Sequence, residues 1–158
     1  MRLMGIALRD ATRGDFKDLC RIYEKPYCGL ETAGKFVELC LDHYFWKLVE
    51  VDGKIVGGLI WFPRESPKLG WAEILDIWID EHCRRRGLGF KLLTEVIKDI
   101  ESHFLSYGHK AKCVILFTSE KNIPARRLYE KAGFKKIGYG GYIAEDGTKE
   151  LLYSLNFQ

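Results

Sequence analysis

A chain of 158 residues favours one domain spanning residues 1–158, and it can bury roughly two-thirds of the surface its unfolded form exposes. Hydrophobic residues at 47% and charged residues at 30% exclude intrinsic disorder, and a net charge of +3 gives no ground to expect nucleic acid or a membrane as partner. Cys20, Cys28, Cys40, Cys83 and Cys113 are odd in number and show no C-x-x-C or Cys/His ligand spacing. Neither a disulfide framework nor a metal is expected, and the thiols read as those of a reduced, cytoplasmic protein. Met1 to Ile6 lacks the apolar stretch and cleavage site of a signal peptide, and no run of about 20 apolar residues could span a membrane.

Ile6 to Arg9 reads as a first strand. Asp10-Ala11-Thr12 offers capping groups, and Phe16, Leu19, Cys20 and Tyr23 recur at helical spacing until Pro26 and Gly29 break the pattern. A second helix is predicted over Ala33 to Asp42. Phe45 to Val51, the turn Asp52-Gly53 and Lys54 to Phe62 form a hairpin. Trp71 to Ile79 adds a third strand after a turn over Pro63 to Gly70. Leu88, Leu92, Leu93, Val96, Ile97, Ile100 and Phe104 make the apolar stripe of a long helix that Gly108 closes, with Lys91, Glu95, Lys98, Asp99 and Glu101 facing away. Cys113 to Thr118 is a short buried strand. A helix from Ile123 to Ala132 ends at Gly133, and Phe134 to Ala144 and Leu151 to Phe157 close the chain as a hairpin around Glu145-Asp146-Gly147. The expected class is α+β: a mixed, mostly antiparallel sheet flanked by about four helices.

Arg84-Arg85-Arg86-Gly87-Leu88-Gly89 lies between a strand and a helix. Glycines let a backbone approach a phosphate closely, the first helical turn offers unpaired N–H groups, and arginines add positive charge. No Lys-Ser/Thr follows, so this is no Walker loop, and the third glycine of a dinucleotide fingerprint is missing. A solvated basic turn is the plainer reading of such a G-x-G taken alone.

The run Arg84-x-x-Gly87-x-Gly89 resembles the Q/R-x-x-G-x-G/A signature of the GNAT acetyltransferase superfamily. Ile74-Leu75-Asp76-Ile77-Trp78-Ile79-Asp80 resembles that family's fourth strand. Asn122-Ile123-Pro124-Ala125-Arg126-Arg127-Leu128-Tyr129-Glu130-Lys131-Ala132-Gly133-Phe134 resembles its N-x-x-A-x-x-L-Y-E-K-x-G-F segment. The resemblance is close over Trp71 to Phe134. It implies acetyl-CoA as donor, with backbone N–H groups from Arg85 through Arg86, Gly87 and Leu88 to Gly89 on the pyrophosphate. It implies Arg84 and Asn122 at the same site, and the backbone of Ile77, Trp78 and Ile79 along the pantetheine as an added pseudo-strand. Such proteins are often dimers, though no dimer surface is legible here.

Ala125, Leu128, Tyr129 and Ala132 share one helix face, which by itself makes Tyr129 an ordinary core tyrosine; Arg126 and Glu130 read as a surface pair. The resemblance gives Tyr129 a further role, since a phenol can protonate a departing thiolate. The acceptor amine must lose a proton, and Glu73 and Asp76 are the candidate bases. Glu73 matches the base position of histone-type members, whereas Asp76 is nearer the expected thioester. Their odd separation puts them on opposite faces of an ideal strand unless a bulge intervenes. The implied activity is transfer of acetyl to a primary amine, whether a protein N-terminus, a lysine or a small amine. The alternative is a non-catalytic acyl-CoA-binding module of the same fold.

Overall fold

The computed structural model describes residues Gly5–Gln158; the N-terminal reading over Met1 to Met4 lies outside them. Seven strands form one sheet: β1 (Ile6–Asp10), β2 (Phe45–Val51), β3 (Lys54–Pro63), β4 (Trp71–Ile79), β5 (Cys113–Ser119), β6 (Lys135–Ile143) and β7 (Lys149–Asn156). Their order is β1-β2-β3-β4-β5-β7-β6, antiparallel throughout except for the parallel pair β4/β5. Four helices cover the sheet: α1 (Phe16–Glu24), α2 (Leu30–His43), α3 (Leu88–Ser106) and α4 (Ile123–Lys131). The expected order of elements holds. Among the described residues, no helix is long and apolar enough to cross a membrane.

Two apolar cores lie on the two faces. On one, Leu92, Leu93, Val96, Ile100 and Phe104 of α3 are fully buried against Ala72, Ile74, Val114 and Leu116, and Tyr129 of α4 joins them. Each such aliphatic side chain stabilises the fold by about 1.5–3 kcal/mol relative to exposure. On the other face, Leu19, Cys20 and Tyr23 of α1 and Ala33, Val37 and Cys40 of α2 pack on Trp46, Leu48 and Ile60. The turn Asp52-Gly53 takes positive φ at both residues (51° and 78°), the geometry a two-residue hairpin needs.

Helix α1 is fastened at its start. Asp15 accepts the Thr12 N–H at 2.8 Å and two guanidinium hydrogen bonds from Arg9 at 2.9 and 2.7 Å, while Arg9 also reaches Glu50 on β2 at 2.7 Å. Helix α2 begins at Leu30 rather than Ala33, because the Ala33 N–H already reaches the Gly29 carbonyl at 3.0 Å. The exposed face of α3 is not wholly free: Asp99 pairs with Lys47 of β2 at 2.9 Å. The expected Arg126–Glu130 pair is replaced by a bridge through Tyr153, whose hydroxyl accepts from Arg126 Nε at 3.3 Å and donates to Glu130 at 2.9 Å.

Candidate active site

Pairing between β4 and β5 runs from Trp71/Cys113 to Ile74/Leu116 and stops there. Beyond that point β4 continues along β3 to Ile79, and β5 continues along β7 to Ser119. A gap therefore opens in the middle of the sheet. Its local cause is a β-bulge: Trp61 faces Ile74 and Ile60 faces Asp76, so Leu75 is the extra residue on β4. Bulges bend a strand and raise its twist, which turns β4 away from its parallel neighbour.

The bulge also resets the side-chain alternation. Ala72, Ile74, Ile77 and Ile79 all pack toward α3. Trp78 packs in the core beneath α1 and α2, and Asp76 meets Tyr23 there. Glu73 and Asp76 therefore lie on the same face, contrary to the ideal-strand expectation.

Asp76 is the electrostatic centre of the gap. Its Oδ2 accepts the Tyr23 hydroxyl at 2.7 Å. Burial pushes its carboxyl above the usual range, opposed by the hydrogen bond from Tyr23 and by the Ile77 N–H. Among the described residues no cation pairs with it. Three further groups register its charge. Burial and then Asp76 raise the Tyr129 phenol and carry the Cys40 thiol to about 12; burial, Asp76 and then Cys40 raise Tyr27. Tyr129 is 5% exposed, held against Phe134 and Tyr153 at ring distances of 6.1 and 6.0 Å. So groups on α2, on α4 and in the segment after α1 feel the charge of Asp76, and Tyr23 of α1 touches it.

Glu73 sits in the paired part of β4. Arg64 approaches it at 3.2 Å; burial raises its carboxyl most, Arg64 lowers it and Glu150 of β7 raises it. Of the two carboxylates, Asp76 is the one beside the opening and, among the described residues, without a counter-charge.

The far end of β4 leads to the loop. The Asp80 N–H pairs with the Val56 carbonyl at 2.7 Å, and antiparallel alternation then turns the Trp78 backbone toward β3 and those of Ile77 and Ile79 toward the gap. Arg84 Nε binds the Ile79 carbonyl at 2.9 Å, which ties the loop back to the strand. Arg85 and Gly87 take left-handed φ of 59° and 74°. No side chain among the described residues caps α3, whose first intrahelical bond runs from the Lys91 N–H to the Gly87 carbonyl at 3.0 Å. The N–H groups of Leu88, Gly89 and Phe90 thus precede the helical ladder, as every helix start leaves them.

No atom of the described residues lies within 4 Å of where a Gly87 Cβ would stand, so they leave the loop open on its outer side. Gly89 has a different reason: a Cβ there would come within 3.3 Å of Leu128, so it lets α3 and α4 pack closely. Open backbone donors, left-handed turns and surrounding arginines fit a diphosphate. Asn122 Oδ1 accepts the Ala125 N–H at 3.3 Å and caps α4. Leu88 is buried in the α3 core.

A strand that parts from its parallel neighbour and runs through a glycine- and arginine-rich loop into a long helix defines a recognisable class. Residues 10–134 match the Acetyltransferase (GNAT) family, and the chain belongs to it. It is a GNAT N-acetyltransferase, an acyltransferase by class. It is 28% identical over 155 residues to the spermine/spermidine N(1)-acetyltransferase of Bacillus subtilis strain 168, covering 94% of this chain and 96% of that one. Its fold matches the GNAT-family acetyltransferase of Streptococcus pneumoniae with a TM-score of 0.74 at 20% identity, covering 97% and 100% of the two chains. It also matches a Bacillus subtilis acetyltransferase in complex with CoA with a TM-score of 0.69 at 17% identity, covering 99% and 100%.

Sequence reasoning placed the loop, Tyr129 and both carboxylates on the right elements. It missed the hydrogen bond from Tyr23 to Asp76, since Tyr23 read only as one apolar-face residue of α1, and it gave no residue-level role to Tyr27. A hydroxyl on a buried helix stripe was the single available signal, and nothing in the chain names its partner.

Proposed function

We propose that the protein transfers the acetyl group of acetyl-CoA directly to a primary amine, with Asp76 as base and Tyr129 as acid. The observation that carries this reading is a part-buried carboxylate, with no cation on it among the described residues, whose charge is felt by a buried phenol at a sheet opening that leads to the glycine- and arginine-rich loop. Backbone N–H groups of Arg85, Arg86, Gly87, Leu88 and Gly89 would hold the diphosphate, and the gap-facing backbone of Ile77 and Ile79 would align the pantetheine arm. The donor supplies the thioester.

An alkylamine of pKa about 10.4 is overwhelmingly protonated at pH 7, a cost of roughly 4–5 kcal/mol before it can attack. Asp76 takes one proton from the ammonium ion, and the amine nitrogen forms its bond to the carbonyl carbon. The carbon–sulfur bond breaks, Tyr129 gives its proton to the sulfur, and the second proton of the amine restores the phenol. Asp76 releases its proton to solvent. The balance is ammonium plus thioester to amide, thiol and one proton.

This assignment puts Asp76 before Glu73, reversing the order that the family's histone-type members imply. Position supports it: Glu73 lies where β4 is still paired with β5 and faces Arg64. Among acceptors, a cationic small amine is favoured over an acidic one, because Arg64 offsets Glu73 while Asp76 has no cation on it among the described residues. The spermine/spermidine enzyme among the relatives points the same way. The test is thiol release from acetyl-CoA with a panel of amines, beside calorimetry with CoA. Saturable CoA binding with turnover on alkylamines is the expected result. Absence of CoA binding by folded protein ends the reading.

A further inference from the structure

The base needs an orientation and a charge state, and the fold supplies both from α1. Tyr23 is 4% exposed, and its hydroxyl makes one hydrogen bond among the described residues, to Asp76 Oδ2 at 2.7 Å. Four rings enclose it: Phe36 at 5.2 Å, Trp46 at 5.6 Å edge-on, Tyr27 at 5.9 Å and Trp78 at 6.4 Å edge-on. Those contacts come from α2, β2, β4 and the segment after α1, so the phenol has little freedom to turn elsewhere. The start of α1 is pinned by Asp15 to Arg9, and through Arg9 to Glu50. The hydroxyl is thereby referenced to the sheet that carries Asp76.

We propose that Tyr23 is a positioning residue of the transfer, whose hydroxyl fixes the Asp76 carboxylate and keeps it ionised so that its remaining lone pairs receive the acceptor's ammonium proton. This rests on the reading of Asp76 as base. The chemistry requires such a group. A carboxylate buried without a cation drifts toward the protonated form, and a protonated base accepts nothing. An ionised carboxylate has about four lone-pair sites, and Tyr23 and the Ile77 N–H take two. The other groups that feel its charge, Tyr27, Cys40 and Tyr129, are neutral near pH 7 and cannot replace a cation. Tyr23 thus stands where a salt bridge would otherwise be, and it leaves the positive charge to be brought by the substrate.

The experiment is the pH profile of kcat/KM for wild type and Tyr23→Phe. Loss of a donor to a charged acceptor should move the acid limb upward by about one to two pH units, with CoA affinity unchanged. In an Asp76→Asn background, Tyr23→Phe should have no further effect on turnover. An unmoved limb, or full additivity of the two substitutions, overturns the proposal. If Tyr23→Phe does not fold, 3,5-difluorotyrosine at position 23 keeps the ring and strengthens the donor; the limb must then move downward, and an unmoved limb is equally fatal. The carboxyl carbon of Asp76, titrated by NMR in protein without substrates, gives a readout independent of turnover. A titration that shifts while no amine is acetylated supports Tyr23 and defeats the transferase reading. Turnover with an unshifted titration does the reverse.

Discussion

The two ends of α1 hold carboxylates in opposite ways. At its start, Asp15 meets the Arg9 guanidinium through two hydrogen bonds, and its carboxyl is pulled down to about 2. Toward its end, Tyr23 meets Asp76, which has no cation among the described residues and is pushed up by burial. One aspartate is satisfied by the fold and stabilises it. The other is left short of a counter-charge, a cost to the fold that the proposed cationic acceptor would offset. A site prepared for chemistry shows itself by what it withholds.

That contrast can be broken most severely at Asp76. Asp76→Asn should lower turnover by about 10²- to 10⁴-fold, the range of a lost general base, with CoA affinity intact. Its thermal midpoint should stay level or rise, because a raised carboxyl makes the ionised form the unfavourable one in the folded state at neutral pH. A lower midpoint would contradict the claim that this charge burdens the fold. Glu73→Gln should cost only several-fold in turnover; a loss exceeding that of Asp76→Asn would return the base to Glu73.

Tyr129→Phe comes next, with turnover down about 10- to 100-fold by steady-state assay and CoA binding unchanged by calorimetry. An unaltered rate removes the acid assignment. Gly87→Val forces a β-branched residue into a left-handed φ, costing roughly 1–2 kcal/mol or more, and should weaken CoA about 10-fold or beyond. Equal affinity in the variant would detach the loop from the diphosphate.

The smallest effect belongs to the structural aspartate. Asp15→Asn should lose about 1–2 kcal/mol at pH 7 by denaturant titration, discounted for the partly exposed Arg9. A depressed carboxyl stabilises above its unfolded value and ceases to do so below its folded one. The gap between wild type and variant should therefore close as pH falls from about 4 toward about 2. A gap that persists at the acid end would show that Asp15 works by helix capping alone.

Much of this was written in local pattern. The stripe from Leu88 to Phe104 could bury only as a helix, Asp52-Gly53 could only turn, and Gly87 and Gly89 marked a backbone that must stay bare, because periodicity and φ preference act over a few residues. The gap and the grouping at Asp76 were not legible that way. Whether Leu75 bulges depends on the register against Trp61 and Ile60, and that single extra residue decides whether Glu73 and Asp76 face together. Tyr23 lies 53 positions from Asp76, and no local preference brings them within 2.7 Å. The chain fixed which chemical groups were available and on which elements they ride. Packing of α1 against the sheet fixed which of them meet, since distance and burial are properties of the assembled fold.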